Sequence, residues 1–232
     1  MTLSRLPAAG LPADAPFTSG LTTPDFSPAR PVPRPEAVIQ RLIQALLPHG
    51  RALRTRSTCP LGPDTPVVYL LTQGNLDMLR ITDGLVLTTV HAPYVIGLAN
   101  LLQPGQAGLL AQHPDSRMLR VGRDKVLRIL EETPSLWTDV AHLLAYALQF
   151  AGQRDRELTT SRAYDTVCGK LMELMHAPAA FRESTSVLNF IQRRTPLSRS
   201  VVALILRDLR AGEYITMRQG RLVSVQHLPA EY

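Results

Sequence analysis

The sequence predicts an α+β chain in three parts: an N-terminal antiparallel β-roll, a long dimerisation helix and a C-terminal winged helix-turn-helix. Three observations carry this. Residues 51–121 form short β-rich runs punctuated by Pro and Gly. After Pro134, apolar residues recur at helical spacing as far as Leu158. Residues 186–225 read as helix, turn, helix and then two short strands.

Composition narrows the class. The 232 residues are 45% hydrophobic and only 5% aromatic, enough for an aliphatic core. No apolar run approaches the roughly 18 residues of a membrane span, and no basic-then-apolar leader opens the chain. Two distant cysteines build no disulfide framework, so a cytoplasmic setting is expected. The net charge is +6. Between Arg182 and Arg221, eight Arg face only Glu183, Asp208 and Glu213. Such a local excess is either a solvated helical face or the footprint of phosphate contact.

Residues 1–34 hold seven prolines, which break helices and central strands, so a disordered tail is expected. The sensor-like domain spans 35–122. It opens on an amphipathic helix from Pro35 to Leu47, with Val38, Ile39, Leu42, Ile43, Leu46 and Leu47 on the buried stripe. Val67 to Leu71 is a buried strand candidate. Asp83-Gly84 between two β-prone runs signals a hairpin, and Met118 to Val121 is a last strand.

Residues 123–160 are read as the dimerisation segment. Trp137, Val140, Leu144, Ala147, Ala151 and Leu158 fall on a heptad-like seam, and Leu136, Leu143 and Phe150 form a second stripe. Two stripes imply two partners, the β domain and a sister helix across a two-fold axis; the alternative sends both into one intrachain core. Residues 161–232 form the last domain. Pro196 breaks the first helix of the pair, Ser198 caps the second, Gly212 stops it, and Gln219-Gly220 turns the ribbon.

This order of elements resembles the Crp/Fnr family of bacterial transcription regulators. Tyr69, Gly74, Asp83-Gly84 and Ile96-Gly97 match the family's cyclic-nucleotide-binding-like roll. Leu197-Ser198-Arg199-Ser200-Val201-Val202, then Ile205-Leu206, Leu209 and Ile215, match its reading head. Within the family the chain is most similar to the IprA/YaiV-like branch, named for an effect on hydrogen peroxide resistance. The resemblance implies double-stranded DNA, a second copy of the chain and RNA polymerase as partners. Cyclic-nucleotide-binding members carry Glu after the apolar-Gly pair and an Arg for the cyclic phosphate. Here those positions hold Leu98 and Gln106-Ala107. Loss of the two-pronged phosphate bond predicts no useful affinity for cyclic AMP.

The resemblance places Ser198, Arg199 and Ser200 at the base-reading start of the recognition helix, Arg suiting guanine O6 and N7. Leu204 stands where relatives commonly carry a polar reader. Arg193 and Arg194 in the turn, with Arg218 and Arg221 in the wing, are expected on phosphates; the alternative for each is a solvated Arg. Cys168, near Lys170, is either a redox-active thiol or a packing residue. Cys59 and Cys168 are too few for an iron–sulfur cluster. No metal spacing, nucleophile elbow or phosphate loop is present, so neither enzyme nor cofactor is expected. The rival to DNA reading is a degenerate sensor module acting through protein contacts.

Overall fold

The computed structural model describes residues 32–53, 58–103, 105, 108–159 and 162–229. The expected tail lies outside these residues as far as Pro31. Helix α1 (Glu36–Leu46) leads into β1 (Arg51–Ala52), β2 (Cys59–Leu61), β3 (Val67–Gln73), β4 (Asn75–Leu79), β5 (Val86–His91) and β6 (Tyr94–Ile96). Then come α2 (Leu98–Leu102), β7 (Gly108–Gln112), β8 (Arg117–Gly122), α3 (Arg123–Glu132) and α4 (Ser135–Thr159). The C-terminal unit comprises α5 (Ala163–His176), α6 (Ala179–Ser184), α7 (Val187–Gln192), α8 (Arg199–Ala211), β9 (Ile215–Arg218) and β10 (Arg221–Val225).

The roll consists of two four-stranded antiparallel sheets, ordered β1-β8-β3-β6 and β2-β7-β4-β5. Strand side chains alternate between faces, and β3 buries both of its faces. Tyr69 and Leu71 point into the roll with Ile96 and Met118, meeting Cys59, Leu76 and Leu110 of the second sheet. Val68 and Leu70 point the other way. There they meet Val95, Val121 and the apolar stripes of α1, α3 and α4. A one-residue slip of β3 would exchange two different sets of neighbours, which pins its register.

The Asp83-Gly84 hairpin forms between β4 and β5 with a longer loop than a two-residue turn. Arg80 N–H donates to the Leu85 carbonyl at 2.9 Å, and the Arg80 guanidinium grips Asp83. Gly97 has a φ of +96°, and a Cβ there would sit 3.1 Å from the Val67 carbonyl oxygen, so the apolar-Gly pair has a steric cause.

Helix α4 corrects the seam expected from the sequence. At about 100° per residue, Leu136, Val140 and Leu143 share one face. That face packs on α1 and the roll, and Val140 is only 1% exposed. Val140 is therefore an intrachain core residue and unavailable to a partner helix. Trp137 and Leu144 are half-buried on the shoulder of this face, and Ala147 and Ala151 are exposed. The side chain of Leu158 lies outside the described residues. Ala141, Ala145 and Leu148 extend the exposed small and apolar strip, Leu148 at 75% exposure.

Candidate nucleic-acid interface

The reading head has its own core. Val167, Leu171 and Leu174 of α5, Val187, Phe190 and Ile191 of α7, and Val202, Ile205, Leu206 and Leu209 of α8 are all buried together, with Ile215 and Leu222 of the wing. This fixes the outer face of α8. Ser198 caps the helix, its Oγ accepting from Val201 N–H at 3.3 Å. Arg199, Ser200, Val201, Ala203, Leu204, Arg207 and Arg210 are exposed. Arg207 and Arg210 went unread in the sequence; their spacing from Ser200 and Ala203 was the available signal.

The wing is a tight ribbon. Arg218 pairs with Arg221 across the turn, and Gln219 and Gly220 both have positive φ, +49° and +76°. That is the demand of a type I′ turn, met by Gly at its second central position. Arg218 and Arg221 are exposed as expected, Arg221 also donating to the Glu183 carbonyl.

One arginine of the turn stands elsewhere than expected, while Arg193 is exposed as expected. Arg194 is 3% exposed, so it is no phosphate contact. Its guanidinium stacks on the Phe190 ring at 3.7 Å and donates to the Phe190 carbonyl and to the Thr89 hydroxyl of the roll. Asp77 at 3.7 Å and Glu173 at 3.6 Å supply the countercharge. The exposed Arg193 also reaches the roll: its Nη2 lies 3.0 Å from Asp77 Oδ2, and its carbonyl accepts from Val86 N–H. The turn of the helix pair is thus docked on the outer face of β4 and β5. Two apolar contacts complete the joint: the Phe181 ring lies 5.0 Å from His91 edge-on and 5.9 Å from His113.

Asp77 is the electrostatic centre of this joint. Burial by itself would raise its pKa. The His113 ring nitrogen 3.2 Å away, the Thr89 hydroxyl bond and the charge of Arg194 outweigh that and hold the carboxyl down at about 2. His91 is pushed the other way, to about 4, by burial and by the nearby Arg34, His113 and Arg194.

Cys168 is half-buried on α5, and its thiol is pushed up to about 11, chiefly by burial. Lys170 gives no activation, since its Nζ is buried against Glu173 at 2.7 Å. The expected trigger for a reactive thiol is therefore missing at this position. Cys59 packs inside the roll.

Leu98 begins α2 and is buried in the core outside the roll, with Val68, Leu70 and the apolar faces of α1 and α4, whereas the roll interior is filled by Tyr69, Leu71, Ile96 and Met118. Gln106 and Ala107 lie outside the described residues.

Known proteins agree with this geometry. Residues 163–230 match the family described as winged helix-turn-helix DNA binding. The inhibitor of hydrogen peroxide resistance of Escherichia coli (strain K12) is 30% identical over 165 residues, covering 71% of this chain and 79% of that protein. The chain belongs to that family. The Salmonella typhimurium inhibitor of hydrogen peroxide resistance is 28% identical over 204 residues, covering 86% of this chain and 98% of its own. Among solved structures, the c-di-GMP-responsive global regulator CLP of Xanthomonas campestris superposes with a TM-score of 0.64 at 15% identity, covering 81% of this chain and all of that one. The chain thus has the fold of Crp/Fnr proteins, a roll joined to a winged helix-turn-helix. Among the described residues, no helix is long and apolar enough to cross a membrane.

Proposed function

We propose that the protein is a homodimeric transcription regulator that reads a near-palindromic DNA site without cyclic nucleotide. The observation that carries this is α8: a capped helix, buried on one side and open on the other, beside a basic wing. Arg199 is the guanine reader at the start of the helix, with Ser198 and Ser200 around it. Arg218 and Arg221 hold phosphates from the wing. The half-exposed and exposed strip of α4, from Trp137 and Leu144 to Leu148 and Ala151, pairs with its mate across a two-fold axis. The mated helices space the two heads by about one turn of DNA, roughly 34 Å.

Leu98 supports the absence of cyclic nucleotide, since it stands where binding relatives hold the ribose with Glu and is buried against the helices. The names of the relatives support genes of peroxide defence as targets. The thiol chemistry of Cys168 does not supply the signal, which leaves a ligand, a partner or protein abundance. Selection of random double-stranded DNA by the purified protein, at stated salt, tests the reading. An enriched palindrome whose affinity falls steeply with salt is expected. Failure to enrich any half-site would instead favour a protein-binding role. A calorimetric titration with micromolar cyclic AMP affinity would overturn the second part.

A further inference from the structure

The exposed centre of α8 is poorly supplied with free polar groups. Ser198 Oγ is committed to the helix cap, and Ser200 Oγ lies 3.0 Å from it, so the two hydroxyls satisfy each other. Two turns on, Arg207 folds back on its neighbour, with Nε and Nη2 both 2.9 Å from Asp208 Oδ1. Between Ser200 and Arg207 stands Leu204, 46% exposed, flanked by exposed Ala203 and Val201. The buried side of the helix is saturated by Val202, Ile205, Leu206 and Leu209. Leu204 therefore serves no intrachain core and stands on the exposed face of α8 opposite its buried side. Arg207, one turn on, is its exposed basic neighbour, and Arg199 and Arg210 are exposed on the flank of the helix.

The major groove offers one apolar feature, the C5-methyl of thymine. From this match we infer that Leu204 is a specificity-determining residue that reads thymine methyls, with Ala203 beside it. The inference rests on the reading that α8 enters the groove. Arg199 and Leu204 are five residues apart, about 7.5 Å along a helix at 1.5 Å per residue. They also differ by about 140° around the helix, so the thymine and the guanine that Arg199 reads are separate bases.

A shallow groove of about 530 Å³ runs beside Leu204, lined by Arg162, Ala163, Tyr164, Val201 and Ile205. Its lining carries one basic residue, Arg162, and a protein occupant is one outcome of the test.

The test uses the full-length protein and its selected site. Each thymine of the site is replaced by uracil, which removes one methyl and leaves every hydrogen-bonding group in place. Affinity should fall about fourfold per half-site at one thymine and little elsewhere, the effect of losing one buried methyl. The Leu204→Ala protein should bind the thymine and uracil sites equally. Because Leu204 is outside the core, this variant should unfold with wild-type behaviour. The uracil series on wild-type protein decides the matter even without it. An enriched site with no uracil-sensitive position, or one whose sensitivity persists in Leu204→Ala, overturns the inference while DNA reading stands. Enrichment of no site at all overturns both, and points to a protein in the groove.

Discussion

Replacing Asp77 by Asn removes the shared countercharge of Arg193 and Arg194 while keeping shape and an oxygen for the Thr89 hydroxyl. The magnitude follows from proton linkage. The Asp77 carboxyl titrates at about 2 in the fold against 3.8 for the ordinary group. At about 1.36 kcal/mol per pKa unit, the charged form contributes about 2 kcal/mol. Stranding Arg194 nearly out of water can add to this, since removing one partner of a buried pair costs about 3–5 kcal/mol. A loss of at least about 2 kcal/mol at neutral pH is therefore expected. The sign is fixed by the depressed value. The stabilisation is complete above pH 3.8 and is lost as pH falls through about 2. Urea unfolding of both proteins, followed by the single tryptophan, Trp137, measures the difference between them. That difference should shrink towards zero between pH 4 and pH 2. A difference that stays constant over this range, or an Asn variant as stable as wild type at pH 7, would refute the electrostatic account of the joint.

Four further outcomes are expected. His91 titrates at about 4 instead of 6.5, so it stays neutral in the fold, and stability should drop as pH falls from 6.5 to 4; His91→Gln should flatten that part of the profile by up to about 3 kcal/mol. Leu148→Glu leaves the protomer core untouched, and sedimentation should show monomers with wild-type helix content; a dimer that survives the charge places the interface elsewhere. Arg218→Ala should weaken all DNA sequences alike and lower the salt slope by about one per protomer, whereas Arg199→Ala should cost about 1–3 kcal/mol and relax preference at one base pair. Cys168 should alkylate slowly at pH 7, with or without prior peroxide, and rapid labelling would contradict a thiol titrating at about 11.

Periodic elements were legible in the sequence because their cause is local. The stripe of α1 and the inner face of α8 follow from 3.6-residue spacing, and the wing follows from Gln219-Gly220. Ser198 was legible as a cap because a cap acts within one turn. The two stripes of α4 were only half legible. A heptad template laid Val140 on the same seam as Ala147 and Ala151. In the fold the roll covers the helix at Val140 and leaves the later turns open, so exposure changes along a single face. The fate of Arg194 was hidden altogether. A double Arg in a turn looks like a surface feature until Asp77, Thr89 and Glu173 arrive from distant parts of the chain. Short edge strands such as β1 and β2 carried too few residues to show any period.

The docked turn has a consequence for engineering. Regulators built as sensor plus reading head invite transplantation of heads between relatives. Here the boundary that matters electrostatically does not fall at the end of α4, because Arg194 belongs by sequence to the head and finds its acid and hydroxyl partners partly on the roll. A grafted head would need Asp77 and Thr89 to travel with it, or Arg194 exchanged for an uncharged residue of similar bulk. Chimeras that carry the acid with the arginine should express as soluble protein, and those that split the pair should not.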